Sequence, residues 1–548
     1  MIHTFEIILI LLVTVVVLEA AARRLALPSP FLLLPAGILL GFVPRFPTIT
    51  LDPNLVLLVF LPPLVYAGSA LGSWTEFRRN IRPISLLSIG CVLFTTAFVA
   101  LAAHSLIPGF GWAEAFVLGA IISPPDEVAA ISIARRLGIP KGISAVLEGE
   151  GLVNDATALT VYRVAAAAVV THSFSWINAG GTFSMMVAGE IAWGVMVGWV
   201  MLRVRRMLHN TSLEVTLSLL TPFIAFLPVE RLGGTGVLAT VSAGLYVGYM
   251  SSQLVAATTR LELVPVWQII EFVLDGILFL VAGLQLHRIL APLSRTNHVL
   301  LCAYGIGIGL LVIVLRIAWV FMIAQMQTMF GLKLRRGEPN PRWQRLFIVS
   351  WSGMRGAISL AAALSIPLLT SAGAAFPQRD MVIFLTFCVI VSTLLLQGLS
   401  LPWLIRLLGI DREGRQERAA SGHQEIEARR QAAEAALALL AARRKDGSYP
   451  EALLDRIEDQ YRYRSAQFRA HLDGDHDGAV QHGTHRYNVQ AELIETERSV
   501  MLQLRHSGVI DDDILRRIEK DLDLQEMRLR QGITEYNLYA DQQEEPLK

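Results

Sequence analysis

Charge is what this chain has least of. Only 17% of its 548 residues are Asp, Glu, Lys or Arg, against about 25% in an average soluble protein. The shortage is confined to one part. Up to Leu408 charged side chains are sparse and cluster between apolar runs, whereas from Asp411 to Lys548 Arg, Glu, Asp and Gln are frequent. The net charge of +1 averages these two unlike regions, so it speaks neither for nor against nucleic acid, and no nucleic-acid partner is expected. Cysteine is also rare. Cys91, Cys302 and Cys388 lie at unrelated positions within apolar runs and form no C-x-x-C spacing. That argues against a disulfide framework or a zinc site and reads as three small apolar side chains. The C-terminal region carries no G-x-G-x-x-G or Walker pattern, and no cofactor or structural metal is expected.

What is abundant is apolar length. Hydrophobic residues make up 53% of the chain and mean hydropathy is +0.50. A helix needs about 20 apolar residues to cross a bilayer. On that rule spans are expected near residues 4–22, 28–42, 53–71, 83–106, 112–136, 143–170, 184–204, 212–229, 235–252, 261–290, 298–328, 343–369 and 380–408. The first run begins at Ile2 with no basic flank or small-residue cleavage site, so it reads as a first span rather than a removed signal peptide. Lys and Arg in the connecting loops divide seventeen to five between alternate sides. The excess marks the cytoplasmic face, which places the N-terminus outside and the C-terminus inside. An odd number of spans preserves the alternation, and thirteen is the number expected.

Two spans break the apolar rule. Ile121 to Ala130 reads I-I-S-P-P-D-E-V-A-A, and Glu148 to Asp155 reads E-G-E-G-L-V-N-D. An ionisable group at bilayer depth costs roughly 2.5–3.5 kcal/mol on insertion scales, so it marks an ion path by default. Paired prolines free backbone carbonyls, which is tolerated only where protein or water receives them. A broken helix beside a helix carrying Asn154-Asp155 is how a transporter would hold a small cation. Asp155 as a mere hydrogen-bond partner is the bland alternative. A carboxylate, an amide oxygen and freed carbonyls suit a hard cation, and the same carboxylate takes a proton instead. One group that binds either, never both, is enough for exchange. Arg355 at membrane depth needs a carboxylate; Glu150 is the expected partner, with Asp126 or Glu127 as alternatives. Glu271 and Asp275, spaced i and i+4, either line the ion path or are satisfied by Arg316.

Four segments together resemble the motifs of the electroneutral sodium/proton antiporters, the family of bacterial NhaP-type antiporters and eukaryotic sodium/proton exchangers. They are Phe60-Leu-Pro-Pro-Leu64, Ser123–Ala130, Gly149–Asp155 and Gly353–Leu360, and their order and spacing match over residues 1–410. The resemblance implies an all-α membrane fold with inverted repeats, broken crossing helices and a homodimer. It implies that Asp155 carries the ion or the proton, that Asn154 is its partner, and that Asp126 is the Asp of the broken-helix motif. It also implies a structural ion pair between Glu150 and Arg355. The sequence departs from the family pattern at Glu127, where Pro is usual, and at Pro124, which leaves Ser123 as the nearest hydroxyl. Gly151 stands where Ser is frequent, and Ala67 and Gly68 stand where many relatives carry an acid. Glu127 joins Glu271 and Asp275 as a candidate for the ion path.

The expected protein is thus a multi-pass plasma-membrane antiporter exchanging a monovalent cation for a proton, with sodium first and potassium or lithium as alternatives. A cation channel is disfavoured because no filter repeat such as T-V-G-Y-G occurs and the carboxylates are few rather than ringed. A non-transporting sensor has only the long C-terminal region in its favour. That region, residues 411–548, is expected to be a cytoplasmic, helical regulatory domain. Helices are expected over Gln424–Arg444, Pro450–Leu472, Arg486–Arg505 and Asp511–Gly532, with Asp473–His485 as a solvated linker. The D-G-D-H-D-G run from Asp473 starts like a calcium loop but has Thr484 at the twelfth position, so the bidentate ligand is missing.

Overall fold

Each expected span coincides with a helix or with two half-helices. A computed structural model describes residues 2–25, 27–43, 53–171, 176–208, 210–290, 298–329, 342–370, 373–447, 449–472, 476–507, 509 and 511–540. Among these residues the regular structure is helical, apart from one antiparallel bridge between Leu369 and Ala375. Helices α1 (Ile2–Leu25), α2 (Pro30–Gly41) and α3 (Pro53–Leu71) open the chain, followed by the short α4 (Trp74–Arg79). Next, α5 (Ile81–Ser85) runs through a π-helical stretch at Leu86–Cys91 into α6 (Val92–Leu106). Half-helices α7 (Trp112–Ile122) and α8 (Glu127–Leu137) precede the long α9 (Lys141–Thr171). Then come α10 (Trp176–Leu208), α11 (Thr211–Arg231), α12 (Val237–Leu254), α13 (Ala257–Leu284), the short α14 (Leu286–Leu290) and α15 (His298–Met329). A second pair of half-helices, α16 (Trp343–Trp351) and α17 (Ala357–Leu364), precedes α18 (Arg379–Thr393), a π-helical stretch at Leu394–Gly398 and α19 (Leu399–Leu407).

Seven helical stretches among the described residues are long and apolar enough to cross a bilayer, and three shorter ones are apolar. Their outer faces carry exposed Leu, Val, Ile and Phe, such as Leu39, Phe98, Ile191 and Leu310. Exposed apolar area on this scale suits a lipid-facing surface, where a helix satisfies its backbone groups internally. The main core gathers Leu118, Ile121 and Ile122 of α7, Leu152 and Ala156 of α9, Leu280 of α13, and Val382, Leu385 and Val389 of α18. It takes in α7 and, through Leu360 and Ala363, α17, whereas α8 and α16 pack in a second cluster with Leu147, Leu401 and Ile405. Small residues set the closest helix approaches. A Cβ on Gly37 or Gly283 would strike the backbone of the facing helix, so α2 and α13 touch main chain to main chain there.

The chain divides into two compact units, Met1–Asp411 and Arg412–Lys548. In the second, α20 (Ile410–Lys445), α21 (Glu451–Leu472), α22 (His476–His506) and α23 (Asp512–Ala540) carry the polar sequence. The last two form an antiparallel hairpin. Arg505 pairs with Asp512 across the turn (2.7 Å), and Arg498, one to two turns back, reaches Asp523 (2.7 Å) and Glu526 (3.0 Å). On α20, Arg430 beside Glu427 holds that carboxyl down to about 2. Helix α22 begins ten residues before the expected Arg486, so most of the expected linker is helical. Extending a helix adds a hydrogen bond per residue fixed, whereas nucleating one is costly, so two glycines do not stop it. Residues 473–475, where the expected calcium-like run begins, lie outside the described residues.

Candidate functional site

The first break follows from its sequence. Pro124 and Pro125 lack the N–H groups a continuing helix requires, and a residue preceding proline avoids the helical region. Asp126 is extended (φ −91°, ψ 119°), and its Oδ1 accepts a bond from the Val128 amide at 2.9 Å, capping α8. Ser123 closes α7, its hydroxyl donating to the Ala120 carbonyl at 3.0 Å. At the far end Gly138 adopts φ 63° and Pro140 follows, a left-handed stop that turns the chain into α9.

The second break, Ser352–Gly356, contains no proline. Two glycines make it possible by admitting side-chain atoms from distant parts of the chain rather than by unusual torsions. A Cβ on Gly353 would collide with the Arg316 side chain, and one on Gly356 with the Asp126 carboxylate. The two breaks meet. The Asp126 amide donates to the Met354 carbonyl at 2.7 Å, and Arg355 Nε donates to the Ile122 carbonyl at 2.6 Å. Each half-helix end thus receives its natural counter-charge. The Arg355 cation sits on the carbonyl end of α7, and the Asp126 carboxylate sits on the amide end of α8. Arg355 also donates to the Gly353 carbonyl (2.7 Å), while its amide donates to Thr393 Oγ1 of α18 (3.2 Å).

Helix α9 crosses this junction with three buried polar side chains. Asn154, 0% exposed, donates from Nδ2 to the Pro125 carbonyl at 2.7 Å, and its Oδ1 has no hydrogen-bond donor. Asp155 follows it, 7% exposed. The expected pairing of Glu150 with Arg355 is not what forms. Glu150 is gripped by Arg316 of α15, Nη1 to Oε1 at 2.5 Å and Nη2 to Oε2 at 2.7 Å. Arg316 completes its donor set on the carbonyls of Ser350 and Val349, both at 3.1 Å. The physical reason is the break at Ser123–Asp126: its freed carbonyls need donors, and Arg355 is the cation beside them. Arg316 is consequently not the partner of Glu271 or Asp275. Asp275 instead lies within electrostatic range of Asp126 and Glu271, and Glu127 within range of Asp155, Asp126 and Asp275.

The structure therefore brings Ser123, Asp126, Glu127, Asn154, Asp155 and Asp275 to one junction, with Glu271 one turn farther along α13. It sets Glu150 apart, held in the pair with Arg316. Among the described residues no three His, Cys, Asp or Glu side chains converge as a multidentate metal site. What the junction offers is carboxylate and amide oxygen at the ends of two half-helices, chemistry suited to one small cation or a proton. Two features escaped the sequence reading, the pairing of Arg316 with Glu150 and the role of Glu190. Arg316 carried a usable signal, a lone arginine in a highly apolar helix that must find a carboxylate. Glu190 carried none: buried in α10, it accepts from the Thr235 amide (2.7 Å), the Thr235 hydroxyl (3.0 Å) and the Leu238 amide (3.2 Å), capping α12 from a neighbouring helix.

Comparison with known proteins agrees with this geometry. An uncharacterised Na+/H+ exchanger of Mycobacterium tuberculosis (strain ATCC 25618 / H37Rv) is 34% identical over 536 residues, 95% of this chain and 96% of its own. A sodium, potassium, lithium and rubidium/H+ antiporter of Bacillus pumilus is 32% identical over 388 residues, 69% of this chain and 58% of its own. The solved structure of the sodium proton antiporter MjNhaP1 from Methanocaldococcus jannaschii superposes with a TM-score of 0.59 at 17% identity, covering 74% of this chain and 99% of that one. Its likeness places the fold among the NhaP antiporters. Residues 8–407 match the family described as sodium/hydrogen exchanger, transmembrane. The chain is a multi-pass membrane protein and belongs to the sodium/hydrogen exchanger family.

Proposed function

We propose that this protein is a secondary active antiporter that exchanges a monovalent cation for a proton across the plasma membrane. The observation that carries the reading is the junction itself: Asp155 and Asn154 lie where two broken helices exchange the Asp126–Met354 and Arg355–Ile122 hydrogen bonds. Such a site presents half-helix ends, an amide oxygen and a buried carboxylate to one small ion. Asp155 releases a proton to bind the cation and loses the cation to regain the proton. Asn154 fixes the geometry by tying α9 to the Pro125 carbonyl, Asp126 caps α8, and Ser123 closes α7. Sodium is the first candidate. Potassium exchange is the second reading, since the Bacillus pumilus relative is named for sodium, potassium, lithium and rubidium.

The same reading places thirteen spans in the membrane, the N-terminus outside and residues 411–548 in the cytoplasm as a regulatory helical domain, with two copies forming a dimer. Exchange is one for one and serves cation and pH homeostasis. Proteoliposomes containing the purified protein and a trapped pH dye test it: adding Na+, K+ or Li+ outside should move protons. Cation flux without proton movement would establish a channel, and silence to all three cations would leave the sensor reading.

A further inference from the structure

Glu127 follows the capping Asp126 in the first turn of α8, and its carboxylate lies against α9 at Gly151. A Cβ on Gly151 would collide with the carboxylate carbon and both oxygens of Glu127, so the absence of a side chain there is what admits them. Gly151 is four residues before Asp155 in the same helix, one turn away on the same face. The charges acting most strongly on Glu127 are those of Asp155, Asp126 and Asp275, all negative. Glu127 thus stands among acids, with its own backbone amide as donor to its carboxylate.

A second observation points to a ligand. Asn154 Oδ1 is fully buried and receives no donor, although the other end of the same amide is fixed on the Pro125 carbonyl, two residues from Glu127. Buried acceptors are nearly always satisfied, so this amide oxygen without a donor, adjacent in sequence to Asp155 and on a side chain tied two residues from Glu127, marks a place that a cation completes. We propose that Glu127 is a direct oxygen ligand of the transported cation and that the Glu127–Gly151 pair sets cation affinity. The proposal rests on the exchanger reading and adds to it a ligand that the family resemblance does not imply. Where a proline would end the break, this chain supplies a second carboxylate and a glycine to make room for it.

The test uses full-length protein, with exchange measured in proteoliposomes and cation binding read from the rise in Tm on adding Na+ in detergent. Glu127→Gln is expected to raise the apparent KM for Na+ roughly 10- to 100-fold, the scale on which even outer-shell partners of a metal site act, with a smaller effect on maximal rate. The Na+-induced rise in Tm should shrink with it. Gly151→Ala should weaken Na+ in the same way in the otherwise native protein, yet add nothing in a Glu127→Ala background, where the collision is gone. A wild-type KM and Tm response in Glu127→Gln would overturn the proposal. So would a Gly151→Ala effect of equal size in both backgrounds, including failure to fold in both. A wild-type protein that moves no protons with Na+, K+ or Li+ sinks the exchanger reading instead; the Tm response separates that result, because it reads binding without transport.

Discussion

Arg316 and Glu150 form a closed, two-pronged ion pair between α15 and α9, with side chains only 1% and 2% exposed. Glu150 lies in α9 five residues before Asp155, and Arg316 also holds the carbonyls of Ser350 and Val349 just before the second break. The pair therefore joins the helix that carries Asp155 to the end of α16. Its role is positional: it fixes where Asp155 meets the crossing.

Breaking one side of a buried pair leaves an uncompensated charge and costs about 3–5 kcal/mol. Glu150→Gln and Arg316→Gln should each lower the Tm strongly, and the double variant should lose much less than their sum. Arg355→Gln should show no such coupling to Glu150, because its donors go to Ile122 and Gly353 carbonyls. Thermal unfolding of the purified variants decides it. Strong coupling of Glu150 with Arg355 rather than Arg316 would refute the assignment.

Asp155→Asn preserves shape and removes the group proposed to alternate between cation and proton. Cation-driven proton movement should vanish while the protein still inserts and elutes as the native form does. Normal exchange by this variant would remove Asp155 from the centre of the mechanism.

The first break was legible and the second was not, for a physical reason. Pro124-Pro125 forbids a helix by local chemistry alone, so Ile121–Ala130 shows its break in the sequence. Gly353-Met354-Arg355-Gly356 is compatible with a helix locally, and the expected span ran unbroken over 343–369. Its break depends on what approaches from elsewhere: the Arg316 side chain at Gly353 and the Asp126 carboxylate at Gly356. The choice between Arg316 and Arg355 as partner of Glu150 failed for the same reason. Both sit in runs that the sequence reads as apolar spans, and what separates them is tertiary: the Ile122 carbonyl at Arg355 and the Glu150 carboxylate at Arg316. Span positions, by contrast, follow from apolar length, a property of consecutive residues.

Gly356 gives a sharper test of the crossing. An added methyl there meets Asp126, and overpacking of this kind costs about 1–3 kcal/mol. Gly356→Ala should lower both Tm and exchange rate. Asp126→Gly removes every Asp126 side-chain atom that the added methyl would meet, and glycine is a tolerated helix cap, so Gly356→Ala should cost less Tm in that background. An equal loss in both backgrounds would mean that the glycine serves something other than the approach of Asp126.

One-for-one exchange implies that membrane potential neither drives nor slows the cycle. The charges around Asp155 bear on this. Asn154 is neutral, and its amide is tied to Pro125. Glu150 is compensated by Arg316, and Arg355 is fixed on two carbonyls. Asp126 is held by the Val128 amide as a cap. Glu127 and Asp275 are left; one-for-one exchange requires that each keep one charge state through the cycle, so that Glu127 as a ligand alters affinity without altering the charge moved. Asp155 alone then trades one proton for one monovalent cation. In proteoliposomes, imposing a potential with a permeant ion of opposite selectivity should leave the exchange rate unchanged at fixed Na+ and pH gradients. Marked acceleration by voltage would show that a second proton travels. Glu127→Gln, which cannot carry one, would then be expected to abolish the voltage dependence if Glu127 is its carrier.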